Sequence, residues 1–188
     1  MLTYIEEFRT HLVITGFRGT RIKKIEDFLK VINREEPPSV EAQFFDAKLV
    51  ATWQHLYFAV LNALTAFENK QNLSKNLAME TMLYASAQGQ ISKATKIMGI
   101  KPESEEIAAI VIGKKKKDVD LALSLVTARV NAKQDDKVLE LSKQKVEIIR
   151  KAFAISDVEI NTVVRRSAFE KALVDLVIER MALLATRK

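Results

Sequence analysis

The chain has no cysteine, two histidines, three prolines and five glycines in 188 residues. Without thiols there is no disulfide framework, no thiolate metal site and no cysteine nucleophile, so stability has to come from packing. His11 and His55 are far from one helical turn apart, which leaves no histidine pair at metal-ligand spacing. So few glycines and prolines argue against a disordered or loop-dominated chain. No uninterrupted apolar stretch reaches the roughly 18 residues that span a bilayer, and residues 1–10 lack the basic start and apolar run of a secretory signal. A soluble, cytoplasmic protein is expected. Gly113 is followed by lysines but lacks the second glycine and the Ser/Thr of a phosphate-cradling loop, and no nucleophile elbow or dinucleotide glycine pattern occurs. The expectation is a protein with no catalytic residue, no cofactor and no metal.

What is present is a chain 48% hydrophobic, enough for one full-sized core, so a single domain over 1–188 is expected. Lys and Arg number 30 against 24 Asp and Glu, a formal net charge of +6, which favours a polyanionic partner without demanding one. The acidic pairs Glu35/Glu36, Glu105/Glu106 and Asp135/Asp136 fall at element boundaries, where carboxylates serve caps and solvation better than acid–base chemistry.

Apolar spacing predicts strands at 11–16, 39–47 and 107–112, the last a fully buried run of IAAIVI. It predicts helices at 21–33 capped by Thr20, 49–68, 74–86 capped by Ser74, 90–98, 118–130 capped by Asp118, 137–152 and 166–186. The segment 49–68 is apolar around much of its circumference and should be central. The fold class expected is mixed α/β (α+β), a small mixed central sheet with about seven or eight helices.

The segment LAMETMLYASAQGQISKATKIMGI, 77–100, carries the most functional information. Two short helices flank a polar break at Gly89, and hydroxyls, amides and helix-terminal backbone donors grip a polar polymer rather than activate a nucleophile. Lys75 and Lys93 flank that break, and Tyr84 or a neighbouring apolar group could meet a base of a single-stranded end; a core tyrosine is the structural alternative. His55, beside Trp53 on the apolar helix, reads as a hydrogen-bonded core or lining residue. Further basic groups, Arg18, Arg21, Lys23 and Lys24 and then 114–117, each follow a strand that enters a helix. The helix 166–186 is apolar over more than one contact stripe and should face a partner as well as the core.

The serial order of HLVITGFRG, FFDAKLVATWQHLYFAVLNAL, METMLYASAQGQISKATKIMGI, IAAIVIG and LVIERMALL resembles the small kinase-binding regulatory subunit of the KEOPS complex, the PRPK-binding protein family, in its archaeal form. The resemblance implies a non-catalytic accessory subunit of the tRNA threonylcarbamoyladenosine modification machinery. Such a subunit binds and stimulates a kinase-like ATPase, and through it the catalytic subunit, and recruits tRNA by its 3′ CCA end. Carried over by position, Lys75, Tyr84, Ser86, Gln88, Gly89, Gln90, Ile91 and Lys93 would meet the tRNA tail, and Leu173, Val177, Met181 and Leu184 the kinase. The resemblance also implies that members of that family often carry a basic residue where this chain has Gly89, a lost phosphate contact. Two other readings are a protein-binding scaffold without RNA contact and a small-molecule enzyme using a pocket around Trp53, His55 and Tyr84.

Overall fold

The computed structural model describes residues 1–164 and 168–186 and divides them into two compact units. The first comprises Met1–Ala47 and Gly99–Leu139, the second Lys48–Met98 and Glu140–Lys188. Among the described residues there are eight α-helices and a five-stranded sheet, the mixed α/β class expected. Every strand pairing is antiparallel, so the sheet is not mixed in strand direction.

The first unit holds the sheet: β1 (Leu2–Ile5), β2 (Thr10–Arg18), β3 (Val40–Asp46), β4 (Glu106–Gly113) and β5 (Lys133–Gln134). Strand order is β1-β2-β4-β3, with β5 pairing the end of β2. The alternating side chains Val13, Phe17, Phe44, Ile107, Ala109 and Val111 meet Ile32 of α1 (Ile25–Glu35) and Val119, Ala122, Val126 and Val130 of α5 (Lys116–Val130) in one buried cluster. Burying these side chains supplies about 1.5–3 kcal/mol for each large one. Gly16 is needed because a Cβ there would lie 2.2 Å from Val138 Cγ2 and 2.8 Å from the Asp135 carbonyl. Asp136 completes this close approach by accepting from the Gly16 N–H at 3.0 Å and the Thr15 hydroxyl at 2.8 Å.

Three caps differ from expectation. Thr20 donates to the Ser104 carbonyl instead of capping a helix, and α1 begins only at Ile25 after Lys24. Asp118 lies in the first turn of α5, where its carboxylate accepts from the Ser39 hydroxyl at 2.6 Å. In the second unit Asn76, not Ser74, caps α3 (Leu77–Ala85), accepting from the Met79 N–H at 2.8 Å.

That second unit is helical among the described residues: α2 (Trp53–Glu68), α3, α4 (Ile91–Met98), α6 (Lys143–Ala152), α7 (Asp157–Val164) and α8 (Phe169–Thr186). The helix expected over 137–152 is a short 3-10 turn at Asp136–Leu139, which belongs to the first unit, followed by α6. α7 follows a capping box: the Ser156 hydroxyl accepts from the Glu159 N–H, and Glu159 accepts from the Ser156 N–H at 2.8 Å. The expected start of α8 at Arg166 lies outside the described residues. α8 packs on α2, α3 and α7.

Candidate nucleic-acid interface

α3 ends in a motif that turns the chain sharply. Ala87 takes the left-handed conformation at φ 51°, the Gln88 N–H donates to the Leu83 carbonyl at 3.0 Å, and the Ala87 N–H donates to that of Tyr84 at 2.8 Å. Glycine usually occupies this position, because a Cβ there meets the backbone. The chain then runs through Gln88, Gly89 and Gln90 into α4, whose first N–H groups have no partner within the helix.

Of the eight residues expected at the tRNA tail, six are reachable. Lys75, Gly89, Gln90, Ile91 and Lys93 are exposed and Gln88 is half-buried. Tyr84 and Ser86 are buried and are corrected to structural roles. The Ser86 hydroxyl donates back to the Met82 carbonyl at 2.9 Å, and burial, with the Glu80 charge nearby, pushes the Tyr84 phenol above its usual range. Tyr84 in the last turn of α3 and Ser86 at its C-cap both face inward, which a polarity count cannot distinguish from facing outward.

Gly89 is not conformationally required. A Cβ there would lie 3.8 Å from Leu184 Cδ1 and 3.9 Å from Leu73 Cδ1, ordinary contact distances. The space for a longer side chain is therefore present at this position.

The four α8 residues expected to face a kinase are all buried: Leu173, Val177 and Met181 are 0% exposed and Leu184 7%. Their spacing of four, four and three residues is one helical stripe, and α8 is packed on α2, α3 and α7, so this stripe is the unit's own core. The outward side of α8 carries Phe169, Lys171, Asp175 and Glu179 instead. A different apolar surface is open. On α2, Trp53 and Phe58 are 38% and 39% exposed, with Tyr57 between them at ring-centroid distances of 6.1 and 5.8 Å. No charged residue occurs between Lys48 and Glu68.

Of the residues suggested for a small-molecule pocket, His55 and Tyr84 are buried and Trp53 is exposed. His55 is fully buried; its Nδ1 accepts from the Ala51 N–H at 3.2 Å, so Nε2 carries the proton and donates to the Ala85 carbonyl at 2.8 Å. Burial pushes its pKa down to about 4. It is a neutral pin between the start of α2 and the end of α3. No group of three or more His, Cys, Asp or Glu suited to a metal ion occurs among the described residues.

The basic runs of the first unit do not converge. Arg18 pairs in register with Glu106 while Gly113 pairs with His11, so the two runs leave opposite ends of the antiparallel β2–β4 pair. Arg18 is also held by Asp135 and Glu106, Lys116 pairs with Asp120 at 2.7 Å, and the Lys114 ammonium donates to the Phe8 carbonyl at 2.7 Å.

The description "Kinase binding protein CGI-121" belongs to a family whose model matches residues 20–185. The chain belongs to the CGI-121 family. It is also 29% identical over 165 residues to the regulatory protein Cgi121 of Methanocaldococcus jannaschii, covering 88% of this chain and 98% of that one. The serial motifs had been read as those of a small kinase-binding regulatory subunit in its archaeal form, and the match to a kinase-binding family and an archaeal regulatory protein spans both compact units. No helix among the described residues is long and apolar enough to cross a membrane.

Proposed function

We propose that this CGI-121 chain is a non-catalytic accessory subunit of the KEOPS complex that binds and stimulates the kinase-like ATPase and recruits tRNA by its 3′ CCA end. The observation that carries the RNA half is the exposed elbow Gln88–Lys93. The reading assigns phosphate to the exposed cations Lys75 and Lys93 and to the first amides of α4, which have no partner within the helix, and assigns a base contact to Ile91, 47% exposed. The kinase half rests on the family description and on the uncharged aromatic face of α2, since Trp and Tyr anchors free of charge are typical of interface centres. Reconstitution tests it: adding the chain to the purified kinase-like and catalytic subunits raises both ATP hydrolysis and threonylcarbamoyl transfer to tRNA. Equal rates with and without the chain refute the assignment.

A scaffold without RNA contact is the second reading, favoured by Gly89 and by the same α2 face. It predicts ATPase stimulation that is indifferent to tRNA.

A further inference from the structure

Glu80 is fully buried on α3, an expensive place for a carboxylate. Its Oε2 accepts from two consecutive backbone N–H groups, Leu73 at 2.9 Å and Ser74 at 2.6 Å, while Oε1 has no partner. The segment around it is wound tightly: the Asn72 amide donates to the Ser74 carbonyl at 2.8 Å, and Asn76 caps the helix that carries Glu80. One residue of this segment reaches the elbow, and an exposed cation follows it two positions on. Leu73 is 47% exposed and its Cδ1 lies within contact of a Cβ built on Gly89, and Lys75 follows directly after Ser74. The acid therefore holds the backbone that presents an apolar wall beside Gly89 and leads directly into the exposed Lys75.

We propose that Glu80 is a positioning residue for a single-stranded RNA 3′ end, acting through Leu73 and Lys75 without touching the RNA. This rests on the RNA half of the proposed function. A merely structural acid would need no particular relation to the Lys75 charge; a latch makes the Lys75 phosphate contact conditional on Glu80.

The test uses the full chain and a short labelled oligoribonucleotide ending in CCA, titrated at several salt concentrations. Lys75→Ala should weaken binding and lower the slope of log Kd against log salt by about 0.7, one phosphate on a single strand. Glu80→Leu should do the same although it removes no cation, and Glu80→Leu with Lys75→Ala should be no weaker than Lys75→Ala alone. Glu80→Gln keeps an acceptor but loses the charge assistance, so amide hydrogen exchange at Leu73 and Ser74 should quicken and the salt slope should fall part-way. It serves where Glu80→Leu does not fold. If Lys75→Ala weakens binding while Glu80→Gln speeds exchange at Leu73 and Ser74 with unchanged affinity, the latch is overturned and the RNA reading stands. If the unaltered chain does not prefer the CCA-ended oligonucleotide over one lacking it, both fall.

Discussion

Acidification should destabilise the chain through His55. A base whose folded pKa lies below its unfolded value is protonated first in the unfolded chain, so its full contribution is present above 6.5 and is lost as pH falls through about 4. This linkage costs on the order of 2 kcal/mol at pH 5 and 3 kcal/mol at pH 4. Glu36 works in the opposite direction. Burial, with the neighbouring Glu41 charge, pushes it up to about 7 from 4.5, so its contribution is complete below 4.5 and is lost as pH rises through about 7. Being only half-buried, it should oppose His55 by no more than about 1 kcal/mol. The depression of Glu159 to about 2, from the Ser156 N–H and Arg180, acts only below 4.5. Urea unfolding between pH 8 and 4 should therefore show stability falling toward acid, and His55→Gln, weaker at pH 8, should flatten or reverse that slope. A variant retaining the full acid slope would refute the neutral-pin account of His55.

Gly89→Lys should fold normally, because its Cβ meets only ordinary contacts, and should tighten tRNA binding with a steeper salt dependence; a mobility-shift series at two salt concentrations checks both. Lys93→Glu should weaken tRNA binding more at low salt than at high salt. Met181→Glu should cost on the order of 3–5 kcal/mol, as an uncompensated buried charge, and lower the urea midpoint instead of leaving a soluble, partner-deficient fold. Phe58→Asp, on the exposed α2 face, should leave the unfolding free energy in urea within about 1 kcal/mol of the original while abolishing co-elution with the kinase-like subunit.

The sequence was most legible where a period and its punctuation agreed. β4 reads as an unbroken apolar run closed by Gly113, and α4 opens after Gly89 and closes at Gly99, so their bounds were met within about a residue. Edge strand β1 is short and largely exposed, and β5 is two residues, so neither carries a hydrophobic signature. The caps failed where a hydroxyl had a competing tertiary acceptor, as Thr20 has in Ser104. α7 was overlooked although its capping box, Ser156 with Glu159, stood in the sequence. For the site, polarity located the elbow but not its sides: Tyr84 and Ser86 face inward, and Glu80, indistinguishable in sequence from a solvated helix acid, is the group on which the adjoining loop is hung. α8 misled for a related reason, because a helix packed against α2, α3 and α7 has a wide apolar arc without needing an outside partner.

The most direct measurement is a titration of the full chain with one tRNA prepared in two forms, with its 3′ CCA and with those three nucleotides removed. The account predicts markedly weaker binding of the trimmed form and loss of that difference in Lys75→Ala/Lys93→Ala; equal affinity for the two forms contradicts it.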